Sequence, residues 1–312
     1  MLKARRGPHA LGHRRLPAPF RSAVTLAWGP VLAALAGFSA CEPTLVVGTW
    51  QGSGEGGLGG QDEDGLAGQG GAEAGGQGGV GTAGEGSCDA GAAGAPATTD
   101  PLAVPWSSGF ENGFCEFQRR GTCFADPGAT FELVDSPVRS GNSAAAFTID
   151  TATGSYQSRC LIQGELPEAA YYGAWYYLPA HSTNNSIWNL FHFQGGEPSA
   201  QHGLWDVSLR NGSNGNLEAY VYDFLRGTNY YGADPPAVPI GAWFHLEFYL
   251  RRAADQTGEV ALYQDGQLVV ELTGLLTDDT NWAQWYVGHI ANYLSPPQAT
   301  VYVDDITIGT SR

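Results

Sequence analysis

Lysine is almost absent from this chain. After Cys41 there is none, and the cations there are arginines, 15 − 6 = 9 of them, against 31 acidic residues, for a net charge of 9 − 31 = −22. A surface with so few cations excludes nucleic acid as a partner, because phosphate binding recruits Lys and Arg in numbers. It tells against strongly anionic polysaccharides as well. Also missing are a run of ~20 apolar residues, which a membrane-spanning helix needs, any long segment of 3.6-residue periodicity, and any CxxC pair, so zinc is not expected.

What is present divides into three parts. Residues 1–40 carry six basic residues (Lys3, Arg5, Arg6, Arg14, Arg15, Arg21), no acid, and the apolar run "AVTLAWGPVLAALAGF" ending at "SAC". That order of charged, apolar and small residues is the pattern of a secretory signal. "GFSAC" resembles the lipobox of bacterial lipoproteins, which implies lipidation of Cys41, an exported protein and a lipid anchor in the bacterial cell envelope. Ordinary signal cleavage nearby, with Cys41 a spare thiol, is the alternative. Residues 41–100 read as a tether. Residues 51–100 hold 19 glycines and no aromatic residue, a composition that cannot offset its ordering entropy. As a Gly-rich coil, ~60 residues reach roughly 40–45 Å root-mean-square.

From about residue 101 to residue 312 the texture changes to aromatic-rich strands. "SRCLIQGEL", "YYGAWYYLP", "IWNLFHFQ", "LWDVSLR", "LEAYVYD" and "WFHLEFYLRR" are among some ten segments separated by turn residues such as Gly195-Gly196, Asn211-Gly212 and Pro235-Pro236. "EVALYQDGQLVVEL" predicts a hairpin turning at Asp265-Gly266. The expected fold is all-β, a two-sheet antiparallel jelly-roll sandwich. Setting Cys41 aside, Cys88, Cys115, Cys123 and Cys160 form an even set for structural disulfides in an oxidising compartment, with three pairings open.

Several strands alternate cleanly. In "SIWNLFHFQGG", Asn189, Phe191 and Phe193 fall on one face, and Trp188, Leu190, His192 and Gln194 on the other. In "WFHLEFYLR", Phe244, Leu246, Phe248 and Leu250 oppose His245, Glu247, Tyr249 and Arg251. Each strand thus has a core face and a face of ionisable and aromatic groups. Sugar rings stack on aromatic faces while side-chain forks bind their hydroxyls. A glycan-binding face is therefore expected, built from Arg159, Trp188, His192, Gln194, Asp206, Arg210, Tyr220, Tyr222, His245, Glu247 and Tyr249, with an idle tyrosine-rich face as the alternative.

The order of segments resembles the concanavalin A-like lectin/glucanase superfamily over residues 105–310: "GFENGF" and "SPVRSGNSAAAF" at the start, "PIGAWFHLEFYL" with "GEVALYQDGQLV" late, and "VYVDDITIG" at the close. The laminarinase-like E-x-D-x-x-E strand of its glycoside hydrolases is missing, so that branch is excluded. The alginate-lyase-like polysaccharide lyases fit better by order. Arg159 stands where their R-x-E-x-R strand begins, with Leu161 and Gln163 replacing the other two residues. His192 stands at the histidine of their Q-x-H strand, with Leu190 replacing the glutamine and Gln194 on the same face. In "WYVGHIANY", Tyr286 and Ile290 stand where the lysine and tyrosine around the glycine would be. The resemblance implies a β-elimination site in which Arg159 and Gln194 bind a uronate carboxylate, and His192 with a sheet-face tyrosine, Tyr222 for instance, moves the proton.

Three functions follow in order: a surface-tethered glycan-binding lipoprotein using its concave sheet face, a polysaccharide lyase acting on a uronate-containing polymer, and a non-catalytic adhesion or structural lipoprotein. The last would gain if the loop Phe224 to Pro239 covered the tyrosine-lined face. Expected partners are a glycan and a membrane through the lipid alone; a monomer and no cofactor are expected. The resembled superfamily often holds a structural Ca²⁺, for which Asp304, Asp305 or Glu111 offer oxygens, but no metal site is assigned.

Overall fold

The computed structural model describes residues 101–196 and 200–312. The signal, Cys41, the tether and Cys88 lie outside the described residues. In chain order the early strands are β1 (Trp106–Ser108), β2 (Gly121–Ala125), β3 (Thr130–Val134), β4 (Ala144–Asp150), β5 (Gln157–Gly164) and β6 (Ala169–Tyr177). They are followed by β7 (Thr183–Asn184), β8 (Trp188–Gly195), β9 (His202–Asn211), β10 (Leu217–Asp223), β11 (Thr228–Tyr230) and β12 (Trp243–Arg251). The last are β13 (Gly258–Gln264), β14 (Gln267–Leu275), β15 (Ala283–Ala291), β16 (Leu294–Ser295) and β17 (Gln298–Gly309). One short helix, α1 (Cys115–Gln118), precedes β2.

These strands make two large antiparallel sheets in a jelly-roll sandwich. The first has the order β14-β13-β12-β6-β17-β4-β3, with β1 added on β17, and the second β11-β10-β9-β8-β15-β5-β2. A small third pair joins β16 to β7. Neighbours such as β8 and β15, or β12 and β6, are far apart in sequence. Pairing of that kind sets the sheets by long-range contact rather than by local hairpins.

The apolar alternation explains the core. Phe244, Leu246, Phe248 and Leu250 of β12 face Phe191, Phe193, Trp205, Val207 and Trp285 of the second sheet in one cluster. Rings interlock there: Phe193 lies 5.1 Å from Phe248 and 5.0 Å from Tyr172, centroid to centroid. The predicted hairpin forms, with positive φ at both Asp265 and Gly266, the backbone a two-residue hairpin turn requires. Cys123 and Cys160, opposite each other in the register of β2 and β5, form a disulfide. Cys115 is disulfide-bonded too, to a partner outside the described residues.

Candidate functional site

The outward face of the second sheet gathers polar groups in a row that crosses the strands. Tyr222 on β10 is opposite Asp206 on β9, Asp206 is opposite His192 on β8, His192 is opposite Tyr286 on β15, and Tyr286 is opposite Leu161 on β5. A second row sets Gln194, Gln284 and Gln163 side by side. Three irregularities shape this surface. The pairing of β8 with β9 slips between Asn189 and Phe191 and again between Phe193 and Gln194, and that of β15 with β8 between Val287 and Ile290. A bulge of this sort re-aims side chains locally. Within the last one Gly288 has φ 116°, and a Cβ there would meet the Ser158 carbonyl oxygen at 2.5 Å and Arg159 Cα at 2.9 Å, so no larger residue fits.

His192 is 7% exposed and its Nδ1 lies 2.5 Å from Asp206 Oδ1. Asn189 Nδ2 donates to the other oxygen of the same carboxylate at 3.2 Å. A carboxylate beside Nδ1 holds the proton there and leaves Nε2 as the lone-pair nitrogen. The His192 ring is 5.3 Å from the ring of Tyr286 and 5.5 Å, edge-on, from that of Phe224. Phe224 in turn packs on Tyr222 at 4.7 Å.

Tyr286 is buried, and its hydroxyl is 2.8 Å from Gln194 Oε1 and 2.5 Å from Gln284 Oε1. One phenolic proton serves one of those oxygens only, so the other amide, turned over, donates to the phenol. Burial pushes the phenol up to about 12, with the Arg159 charge working in the opposite direction. The Arg159 guanidinium carbon lies 4.6 Å from the Tyr286 ring and 5.6 Å from that of Phe124. Its Nη2 donates to Gln157 Oε1 at 2.6 Å, and Gln157 Nε2 donates to Asp126 Oδ1 at 3.0 Å. The arginine is thereby aimed by a chain of side-chain bonds that ends on a carboxylate. Behind the row, Trp188 Nε1 donates to His289 Nδ1 at 3.3 Å, and burial drives His289 down to about 3, so it stays neutral.

Of the residues expected from sequence, His192, Arg159, Gln194, Asp206 and Tyr222 converge. Arg210 and Tyr220 lie further along the same face. Arg210 Nη2 pairs with Glu218 Oε2 at 2.7 Å, its guanidinium sits 4.0 Å from the Tyr231 ring, and Tyr231 lies 5.3 Å from Tyr220. Four expectations are corrected. Trp188 is 1% exposed and belongs to the core cluster, because the bulge after Asn189 inverts the phase of the strand at that end. The same inversion brings Asn189 outward to Asp206. His245, Glu247 and Tyr249 are on β12, in the other sheet, where they face outward on the far side of the sandwich. There His245 stacks on Trp175 at 5.1 Å, Glu247 pairs with Arg312, and Tyr249 packs on Tyr171 at 4.8 Å. The loop after Phe224 runs along the sheet edge beside β10: Tyr230 pairs with Val221, and Ala237 bridges Glu218. Tyr231 within it is 48% exposed.

Sequence reasoning missed Tyr286, Gln284, Asn189 and the Gln157–Asp126 support. The alternation of "AQWYVGHIA" does put Gln284 and Tyr286 on one face. Reading position 286 as a replaced lysine hid that the replacement is itself a phenol. The acids offered for Ca²⁺ are held by loop donors. Asp304 Oδ2 accepts from the N–H groups of Arg139 and Ser140, Asp305 Oδ1 from the Ser140 hydroxyl, and Glu111 Oε1 from the N–H groups of Asn142 and Ser143. Among the described residues no group of three His, Cys, Asp or Glu side chains gathers as a cation would need.

No protein-family model and no curated protein matches the chain. Solved structures are similar to it. The endo-β-1,4-glucuronan lyase of the fungus Trichoderma reesei has 20% identity and a TM-score of 0.49, covering 61% of this chain and 90% of that one. A double mutant of the alginate lyase Aly36B, in complex with an alginate trisaccharide, has 12% identity and a TM-score of 0.46, covering 67% and 95%. The PL-14 alginate lyase of Aplysia kurodai has 12% identity and a TM-score of 0.42, covering 58% and 87%.

Proposed function

We propose that the domain is a polysaccharide lyase that cleaves beside a uronate by β-elimination. The observation that carries this reading is the convergence of three groups: the His192 imidazole set by Asp206, the Tyr286 phenol on the adjoining strand, and the Arg159 guanidinium against that phenol. The reaction needs three things. The substrate carboxylate must be neutralised so that the C5 proton becomes acidic, a base must take that proton, and an acid must protonate the departing O4. Arg159 and Gln194 bind the carboxylate. His192 Nε2 takes the proton from C5 as the C4–O4 bond breaks and the C4=C5 double bond forms. Tyr286, held in its neutral form by its raised pKa, gives its proton to O4. Asp206 stabilises the imidazolium that results.

The domain is exported and carried on a lipid at Cys41, with the Gly-rich segment as its tether; the charged, apolar and small-residue order of residues 1–41 supports this. The test of the chemistry is the appearance of unsaturated, near-ultraviolet-absorbing ends from uronate-containing polymers, lost in His192→Ala and in Tyr286→Phe. No such product from any polymer, with a folded domain, would refute it. Binding without turnover is the second reading, favoured by the engagement of the Tyr286 hydroxyl by two glutamines. It predicts retention of polymer by the domain with no new absorbance.

A further inference from the structure

Resting on the reading above for the place of cleavage, we propose that Tyr231, backed by Arg210 and Glu218, is a distal sugar-stacking subsite. It holds a pyranose of the same polymer some way along from the scissile bond, so that long chains are preferred to short ones. Tyr231 follows β11 and comes abreast of Tyr220 on β10, because Tyr230 is opposite Val221. Tyr220 is opposite Ser208 on β9, and Ser208 is opposite Asn189 on β8. The Tyr231 ring meets the Arg210 guanidinium at 4.0 Å and the Tyr220 ring at 5.3 Å, both outward groups of the sheet that carries His192. Three strand spacings of about 4.8 Å and two residues of rise put its backbone roughly 16 Å from that of His192, the length of about three linked pyranoses. The row of His192 crosses the strands, with Tyr286 and Arg159 to one side and β9, β10 and β11 to the other. A polymer whose uronate sits at Arg159 and His192, and which continues across the strands, therefore arrives at Tyr231.

The ring is held in place from several directions while 48% of the residue stays open. Arg210 is fixed behind it by two hydrogen bonds to Glu218, Nε to Oε2 at 3.0 Å and Nη2 to Oε2 at 2.7 Å. A Cβ on Gly212 would meet Glu218 Oε1 at 2.3 Å, so the bare glycine leaves room for that carboxylate. A Cβ on Gly232 would meet the Val269 carbonyl oxygen at 2.8 Å, so the chain leaving Tyr231 is pressed onto β14. Further on, the Val238 N–H donates to the Leu217 carbonyl at 2.8 Å, which ties the segment back to β10. Fastening an exposed ring to an arginine contributes little to stability by itself. A ring fixed before its ligand arrives binds the C–H-rich face of a sugar with little ordering left to lose. The guanidinium and carboxylate at its edge present donors and acceptors for the sugar's hydroxyls.

The experiment compares the full-length protein with Tyr231→Phe, which keeps the ring, and with Tyr231→Leu and Tyr231→Ala, which remove it. The probes are polyglucuronate, alginate and polygalacturonate, each as polymer and as size-fractionated oligosaccharides. Turnover is followed by near-ultraviolet absorbance, binding by affinity electrophoresis in the His192→Ala background, and folding by the thermal unfolding midpoint. On polymer, the Leu and Ala variants should lose kcat/KM by about three- to tenfold, the range of an aromatic stacking contact, through KM and not kcat. The loss should shrink to less than about twofold on oligosaccharides too short to reach Tyr231, and Tyr231→Phe should behave as the native protein on every length. An equal loss at all lengths, a loss carried by kcat, or unchanged polymer binding by folded Tyr231→Leu overturns the proposal. The last of these would show that the ring only fastens its loop. Polymer binding that Tyr231→Leu weakens, with no product from any polymer, supports the subsite while refuting the lyase reading. Failure of the folded protein to bind any of the three polymers overturns both.

Discussion

Replacing Asp206 by Asn tests how the imidazole is prepared for its role. The side chain keeps its shape, so the pocket around it is unchanged, but its charge is gone. Two things follow from the hydrogen bonds around it. The Nδ1 contact at 2.5 Å is charge-assisted in the native protein and becomes neutral. The difference between those classes of bond is about 1–2 kcal/mol, and since the imidazolium forms only as the proton moves, it appears in the barrier as a factor of about 5–30. The second effect depends on Asn189, whose amide now donates to residue 206. If Asn189 keeps that orientation, the new amide must accept from it and point its own NH₂ at Nδ1. Nδ1 is then forced to accept, the proton moves to Nε2, and the base is lost, worth a further ~10²–10⁴. If Asn189 turns over instead, the tautomer survives and only the charge is missing. Fivefold in kcat is therefore the floor, with KM for the polymer little changed, since Asp206 acts through His192. Steady-state absorbance assays give the split between kcat and KM, and ¹⁵N chemical shifts of the imidazole report the tautomer. A loss of kcat below about twofold, or a large change confined to KM, would refute the assignment of Nε2 as base.

Gly288→Ala should destabilise the domain by more than about 2 kcal/mol in urea unfolding, because it adds a Cβ at 2.5 Å from the Ser158 carbonyl to a residue at φ 116°; an unchanged midpoint would mean that the bulge is not the tight contact described. Removing the Cys123–Cys160 bridge as the double serine variant opens a loop with a sequence separation of 37, for a loss of about 4 kcal/mol by the loop-entropy relation, read as a lower unfolding midpoint. His289 is depressed from 6.5 to about 3, so the folded state refuses a proton that the unfolded chain accepts; its stabilising contribution is complete above about pH 6.5 and declines as pH falls toward 3, and His289→Phe should flatten that part of the profile. The Tyr286 phenol is raised from 10 to about 12, so the alkaline limb of kcat should lie above pH 10 and be displaced from that of an ordinary phenol. Cys41→Ala in the full chain should abolish incorporation of labelled fatty acid and release the protein from the membrane fraction; continued labelling would refute lipidation at Cys41.

How much of this could be read in the sequence depends on which kind of order set each residue. The face on which a residue lies within its own strand is a local matter of period two, and it was legible: Phe244, Leu246 and Phe248 point inward and His245, Glu247 and Tyr249 outward, as their alternation says. Which sheet a strand joins is set by pairing over long distances in the chain. An outward row on β12 reads the same whether it lines the candidate site or the back of the molecule, and that is why His245 was grouped with His192. The bulge at Leu190 defeats the local rule for a different reason. One extra residue on β8 inverts the phase between Asn189 and Phe191, exchanging Trp188 for Asn189 on the open face, and no residue type in "WNLF" announces it. Tyr286 marks a third limit. Its alternation with Gln284 was visible, yet comparison with a lysine motif hid it, because chemistry is set by which side chains meet and not by which position a motif assigns. The phenol beside His192 comes from β15, 94 residues further along the chain (286 − 192 = 94). A strand brought that far by the fold is where a site is completed, and it is the part that periodicity within one segment does not contain.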